Sequence, residues 1–224
     1  MTGSRFMQKT ERPVWSSFAG RFSDPRECLA AYLALETAEV LSRVKPANLL
    51  NIPNRSRACG QNLYNLWRQH GDALVRGGGL AALELVDRHD SLLLLIYDSQ
   101  ALSALLANKR VATILAKAGY RQPPDMASSL SDLKSRVLHD SFPHEIGIFL
   151  GYPLKDVVAF MGWARIPFTC QGPWKIYGNP DISLKLADAC RQCRLRMARR
   201  LVSCSDPLVC LRNRGANIRS RHTC

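Results

Sequence analysis

The chain has 224 residues, of which 46% are hydrophobic and 22% charged, enough to build one substantial core. Its formal net charge is +13, and much of this charge lies in residues 190–224, which hold nine arginines and one acid. No apolar run approaches the roughly 20 residues that cross a bilayer, and the polar N-terminus lacks the apolar segment of a secretory signal. We therefore expect a cytoplasmic protein with no membrane partner, whose eight cysteines are reduced thiols.

The first part of the chain predicts a flexible arm, a helix and a strand. Residues 1–25 are polar and mixed, although Trp15 and Phe18 are able to dock on a core. A helix is expected from Asp24-Pro25, because an N-cap residue followed by proline opens helices. Residues 48–52, which lie between two prolines, form a short strand candidate.

A β-hairpin is the strongest tertiary prediction. Helical spacing returns over residues 57–70 and ends before the glycine run at 77–79. Two leucine-rich runs, 80–86 and 92–97, then flank a polar stretch of the right size for a hairpin loop. We expect these two runs to pair in antiparallel fashion.

Helices dominate the rest of the chain. Helical spacing predicts helices over residues 99–107, 110–118, 126–139, 144–150 and 154–163, and a long final helix over 181–202. A short strand is expected at 174–177. The sequence thus predicts an α+β fold, in which a small, mainly antiparallel sheet of three or four strands, with a hairpin at 80–97, is flanked by helices.

Two segments of the second half carry a resemblance to a known family. The segment 142–157, FPHEIGIFLGYPLKDV, and the segment 170–178, CQGPWKIYG, resemble the signature of the bacterial domain of unknown function 3793 family. Shorter similarities lie at 44–49 and 95–97, and Pro173 departs from the aromatic residue expected at its position. The family occurs mainly in anaerobic bacteria and has no established activity. The resemblance therefore implies a cytoplasmic bacterial protein without indicating its function.

The same two segments concentrate the residue types that line ligand sites, which are aromatic side chains and glycines beside a few polar groups. We predict that they form a concave site for a small molecule or a protein partner, with the candidates His144, Glu145, Gly147, Tyr152, Cys170, Trp174 and Tyr177. The simpler interpretation is a helix–turn–helix corner packed on the sheet. On this basis the leading hypothesis is a non-enzymatic binding or accessory protein.

Cys170 also supports an alternative hypothesis, a thiol-dependent enzyme. A thiol nucleophile needs a neighbouring base that lowers its pKa, and His144 or His139 would serve if the fold brought it close to Cys170. The commoner role of a cysteine in a reducing compartment is that of a small apolar filler. No nucleotide or paired-carboxylate signature is present, so the cofactor stays unknown.

Four C-terminal cysteines are weak candidates for a zinc or iron–sulfur site: Cys190, Cys193, Cys204 and Cys210. Helical spacing favours another role for the first two, because they fall on one apolar seam of the final helix with Met197 and Leu201. The gaps before the last two match no common zinc module. We therefore expect no metal site.

The arginine-rich end suggests a second alternative, non-specific binding of nucleic acid. On the final helix, Arg191, Arg194 and Arg199 are expected to face solvent. Beyond it, the phosphate-binding candidates are Arg212, Arg214, Arg219 and Arg221. No aromatic residue follows Tyr177, so a stacking platform for single strands is lacking there. The predicted division is an arm of residues 1–25, one domain of 26–202 and a basic, disordered tail of 203–224.

Overall fold

The computed structural model of the chain describes residues 13–56, 60–139 and 142–212. Its helices are α1 (Pro25–Glu36), α2 (Ala38–Leu41), α3 (Leu63–Leu66), α4 (Asp72–Gly77), α5 (Ser99–Leu106), α6 (Lys109–Lys117), α7 (Met126–His139), α8 (Ile146–Phe149), α9 (Leu154–Phe160), α10 (Asp181–Ser203) and α11 (Pro207–Arg212). Its strands are β1 (Ala47–Pro53), β2 (Ala81–Asp87), β3 (Ser91–Tyr97), β4 (Phe168–Gln171) and β5 (Lys175–Tyr177). No helix within these described ranges has the length and apolar character needed to cross a membrane.

The fold is α+β, as predicted, and is built on a three-stranded antiparallel sheet. The strand order is β1–β3–β2, so the predicted hairpin is confirmed and β3 is the central strand. Leu94 pairs with Leu50 on one side and with Glu84 on the other. A bulge interrupts β2 between Glu84 and Val86.

Both faces of the sheet are covered, which explains why β3 is apolar from Leu92 to Ile96. Leu92, Leu94 and Ile96 face a core formed with α1, α3, α4, α10 and α11. Leu95 faces a second core, built largely from α5 to α9. The sheet therefore separates two apolar layers, and the candidate site lies on the side of the second.

The N-terminal arm is packed onto the first core from Trp15 onward. Trp15 and Phe18 are buried, and the indole of Trp15 meets the ring of Tyr32 edge-on, with ring centroids 5.7 Å apart. Asp24 caps α1 as predicted, because its side chain accepts a hydrogen bond from the Glu27 N–H at 2.9 Å. Residues 1–12 of the predicted arm lie outside the described residues.

The helix predicted over residues 57–70 begins later and extends further than expected. It starts at Leu63, since Asn62 caps it by accepting a hydrogen bond from the Tyr64 N–H at 3.0 Å. The chain then passes through a π-helical turn at Trp67–Gly71 before entering α4. Residues 57–59 lie outside the described part of the chain.

Two elements near the C-terminus were not predicted. β4 pairs with the predicted strand β5 in a separate two-stranded sheet, with Cys170 opposite Ile176. Helix α11 falls in the tail that was predicted to be disordered, and this prediction was wrong over residues 207–212. The reason is that Cys210 and Leu211 are buried where α11 packs on α1 and α4. Residues 213–224, with the candidates Arg214, Arg219 and Arg221, lie outside the described residues.

Candidate functional site

The candidate site begins at the corner between α8 and α9, which two glycines shape. Gly151 has a φ of +73°, and a Cβ atom there would lie 2.5 Å from Cδ of Pro46. At Gly147, a Cβ atom would lie 3.0 Å from Cγ2 of Val157. Gly151 therefore leaves no room for a side chain beside Pro46. A side chain at position 147 would require Val157 to shift by a few tenths of an ångström.

A buried carboxylate, Asp156 in the first turn of α9, joins this corner to the β4–β5 hairpin and to α10. One oxygen, Oδ1, accepts hydrogen bonds from Lys155 Nζ at 2.7 Å and from the Tyr177 backbone N–H at 3.0 Å. The other, Oδ2, accepts from Trp174 Nε1 at 2.9 Å and from Ser183 Oγ at 2.6 Å. Each oxygen thus receives two donors, which fills its acceptor capacity.

The electrostatic balance at Asp156 keeps this carboxylate ionised. Asp156 is only 2% exposed, and burial by itself raises the pKa of its carboxyl group. The hydrogen bonds from Lys155, Ser183, the Tyr177 N–H and Trp174 outweigh burial, so the pKa is lowered below its ordinary value. Asp156 therefore serves as a fixed anionic anchor and is a weak proton acceptor.

The anchor holds the indole of Trp174 against Tyr152. The two rings stack with centroids 4.5 Å apart and an interplanar angle of 20°. Lys45 adds a cation on the tyrosine, with Nζ 5.1 Å from the ring centroid. The pair forms a rigid aromatic wall with open space on both sides.

On one side of this wall lies a cavity of about 430 Å³, which we call the apolar pocket. Its apolar and aromatic lining consists of Leu49, Phe142, Ile146, Gly147, Leu150, Tyr152, Val157, Phe160 and Trp174. Four polar side chains complete it: His144, Asp156, Gln171 and Lys175. The volume and the lining match those of small-molecule sites in general.

The rim of the apolar pocket combines exposed rings with basic groups. Phe142 and Phe160 are 46% and 43% exposed. The His144 imidazole meets the Phe160 ring edge-on, with centroids 4.8 Å apart, and Lys175 Nζ lies 5.4 Å from the centroid of the same ring. Exposed apolar surface beside a positive charge suits a ligand that is itself apolar and anionic.

On the other side of the wall lies a second cavity of about 480 Å³, which we call the charged pocket. Its aromatic wall is again Tyr152 with Trp174, but its other lining includes Glu36, Glu39, Lys45, Asn48, Arg191 and Arg194. Asn48 donates to Glu39 Oε2 at 2.7 Å and accepts from Lys45 Nζ at 2.7 Å. Asn48 thus bridges the charged groups of Lys45 and Glu39.

Arg194 corrects a prediction. It was expected on the solvent face of α10, but it is 4% exposed. Its guanidinium pairs with both carboxylate oxygens of Glu36 and donates to the backbone carbonyl of Pro13 at 2.8 Å. The reason is that α10 buries more than one face, since it contacts both α1 and α2.

The family assignment rests on a long match. The family described as "Protein of unknown function (DUF3793)" matches residues 33–209. The chain belongs to this family. The match includes both signature segments, so the resemblance found in the sequence is confirmed. No curated protein and no solved structure matches the chain.

The structure brings together four of the seven residues that were predicted to form the DUF3793 site. His144, Gly147, Tyr152 and Trp174 all line the apolar pocket. Glu145 is buried beside it and faces away, accepting a hydrogen bond from the Tyr120 hydroxyl at 3.3 Å. It contributes with His144 to an adjoining hollow of about 360 Å³.

The remaining two predicted residues belong to the hairpin but not to the lining of the apolar pocket. Tyr177 takes part through its backbone, whose N–H binds Asp156. Cys170 lies in β4, and no hydrogen bond joins its thiol to the His144 imidazole in the described part of the chain. The proposed thiol–imidazole pair of a DUF3793 enzyme therefore has no geometric support.

The four candidate metal ligands do not form one site. Cys190 and Cys193 are buried on α10, whereas Cys204 and Cys210 contact each other at 3.3 Å. Among residues 13–56, 60–139 and 142–212, no group of three or more metal-binding side chains occurs. Of the nucleic-acid candidates, Arg212 ends α11 and is exposed.

Several residues of the site were missed from the sequence. They are Leu49, Phe142, Ile146, Leu150, Asp156, Val157, Phe160, Gln171 and Lys175. Asp156 was interpreted only as a first-turn acid that suits the helix dipole. The sequence did contain a signal that Asp156 would be buried, because this residue directly precedes the apolar run Val157 to Phe160.

Proposed function

We propose that this DUF3793 protein is a non-enzymatic binding protein of the bacterial cytoplasm. It holds a small, largely apolar molecule with an anionic group in the apolar pocket. The observation that carries the proposal is a cavity of about 430 Å³ whose Trp174 wall is anchored before any ligand arrives. A pocket that is already formed reduces the cost of ordering protein side chains on binding.

The chemistry of Asp156 favours binding over catalysis. A general acid or base needs a pKa near the working pH and a free position facing the substrate. Asp156 has its pKa lowered and both of its oxygens occupied by donors from the protein. The carboxylate is therefore used to build the pocket.

The class of ligand follows from the lining. Phe160, Val157 and Trp174 offer an apolar surface, which favours a flat or aromatic body. Lys175 places a positive charge beside that surface at the rim. We therefore expect an apolar carboxylate, sulfonate or similar anion to bind better than its neutral analogue.

The proposal is tested with two fluorescent probes of similar shape, the anion 1-anilinonaphthalene-8-sulfonate and the neutral N-phenyl-1-naphthylamine. We expect Lys175→Ala to weaken binding of the anion about two- to fivefold and to leave the neutral probe unchanged, since an exposed charge pair contributes little more. We expect Phe160→Ala to weaken both probes about fivefold, because it removes apolar contact from each. Fluorescence titration measures all of these constants.

Matched controls come from residues outside the pocket. Phe168 is an exposed aromatic residue of β4 and Lys185 an exposed lysine of α10, and neither lines the apolar pocket. Phe168→Ala and Lys185→Ala should leave both affinities at the wild-type value. Equal losses in the control and pocket variants would show that the probes bind the general surface, and the proposal would then be wrong.

A further inference from the structure

A pair of thiols lies at the junction of α10 and α11, far along the chain from the residues of the apolar pocket. Cys204 is the residue that directly follows α10, and Cys210 lies inside α11. Their sulfur atoms are 3.3 Å apart, with the Cys210 thiol donating to the sulfur of Cys204. The Cys204 thiol in turn donates to the Asp206 carbonyl oxygen at 2.8 Å.

The two thiols differ in access. Cys210 is 2% exposed, whereas Cys204 is half-buried. Burial, together with the neighbouring Cys204, raises the pKa of Cys210 to about 12. Cys204 is therefore the thiol that meets a reagent from solvent, and Cys210 is the thiol held behind it.

We propose that Cys204 and Cys210 form a reversible dithiol–disulfide site that reacts with low-molecular-weight disulfides. The sulfur atoms need to move only from 3.3 Å to the bonded distance of roughly 2 Å. Five residues separate the two cysteines, and the last three of them form the first turn of α11. The site is separate from ligand binding in the apolar pocket.

The reaction is a balanced thiol–disulfide exchange in two steps. The Cys204 thiolate attacks one sulfur of the small disulfide, forms a mixed disulfide and releases one small thiolate. Cys210 then loses its proton to water, its sulfur attacks the Cys204 sulfur, and the second small thiolate leaves. The protein loses two electrons and two protons, and the small disulfide becomes two thiols.

The consequence of the bond is a link between two helices of the first core. Helix α11 packs on α1 and α4, and Leu211 lies against Gly78. Closing a short loop removes freedom from the unfolded chain, which predicts a rise in Tm of about 5 °C on oxidation. Excess dithiothreitol should reverse this rise.

The test treats the full-length protein with oxidised glutathione, quenches it with acid, alkylates it with iodoacetamide and digests it with trypsin. Both cysteines fall in one tryptic peptide, residues 201–212, because no lysine or arginine separates them. We expect this peptide to lose two hydrogens and to carry no alkyl group. A peptide that carries two alkyl groups, or glutathione on both cysteines, would overturn the proposal.

Single variants distinguish the two roles. Cys210→Ser should stop the reaction at one glutathione on Cys204, and Cys204→Ser should leave Cys210 largely unmodified. The matched control is Cys170→Ser, which should leave the 201–212 disulfide unchanged, since Cys170 lies in the hairpin. Faster modification of Cys210 than of Cys204 would show that the assigned order is wrong.

Discussion

The two pockets on either side of the Tyr152–Trp174 wall use their polar groups in opposite ways. In the charged pocket, Arg194 binds Glu36 and Asn48 bridges Lys45 and Glu39, so these charged groups have partners within the protein. In the apolar pocket, the one buried charge is fully bonded, and exposed Phe142 and Phe160 remain at the rim. A ligand in the apolar pocket can therefore gain binding free energy by removing this exposed aromatic surface from water.

The comparison also separates two ways in which a carboxylate is bound. Glu36 is paired with a single arginine, whereas Asp156 is bound by a lysine, a hydroxyl, an indole and a backbone N–H. Losing one partner of the Arg194–Glu36 pair leaves the other charge unpaired, while losing the Asp156 charge weakens all four hydrogen bonds that this side chain accepts. Loss of one partner in the Arg194–Glu36 pair should therefore lower stability. Loss of the Asp156 charge should lower stability and also disturb the apolar pocket.

The largest effect is expected from Asp156→Asn. The amide replaces a charged acceptor by a neutral one and turns one oxygen into a donor, which then faces two hydrogen-bond donors of the protein. We expect a loss of about 3 to 4 kcal/mol in the free energy of unfolding. Urea denaturation measures this loss, and binding of the anionic probe should fall with it. Asp181→Asn, at an exposed acid, serves as the control and should change stability by less than about 1 kcal/mol.

The same variant gives a pH dependence whose sign follows from the lowered pKa of Asp156. A carboxyl group with a lower pKa in the folded state than in the unfolded state adds stability above its unfolded pKa, which is about 4. That stability is lost as the pH falls through the folded pKa. The difference between wild type and Asp156→Asn should thus be constant near neutral pH and shrink below about pH 4. A difference that grows on acidification would contradict the assignment.

The next largest effect is expected from Arg194→Met, which leaves Glu36 in a half-buried position without its partner. We expect a loss of about 3 kcal/mol, measured by urea denaturation. The double variant Arg194→Met with Glu36→Met should recover much of this loss, and Arg199→Met, on an exposed arginine of the same helix, should change little. Binding of the anionic probe to the folded variant should equal that of wild type, because Arg194 does not line the apolar pocket.

The smallest effect concerns the corner that shapes both pockets. Gly151 and Gly162 share a φ of +73°, but only at Gly151 would a Cβ atom meet another group, Pro46, at 2.5 Å. We expect Gly162→Ala to cost about 1 kcal/mol from backbone strain alone, and Gly151→Ala to cost about 2 to 3 kcal/mol. Equal costs in urea denaturation would show that the corner yields easily and does not hold Tyr152 in place.

Much of the site could be predicted because aromatic residues and glycines are concentrated in two segments. His144, Gly147, Tyr152 and Trp174 were placed in one concavity on this basis, and they do line the apolar pocket. The polar partners could not be predicted. Helical spacing shows that a face is buried but not which polar group on another element will meet it.

Local signals in the sequence determined several secondary-structure elements of this protein. The cap at Asp24, the hairpin of β2 and β3, and the long helix α10 each depend on residues that are close together in the sequence. Periodicity was therefore sufficient to predict the α+β class.

The tertiary structure alone decided how charges are placed. Asp156 meets Ser183 across 27 positions and Arg194 meets Glu36 across 158, pairings that no local pattern encodes. It also decided that residues 207–212 fold as a helix, since their apolar side chains need the surface of α1 to cover them. The physical reason is the same in each case, because a buried polar or apolar group is stabilised only by what the rest of the fold brings to it.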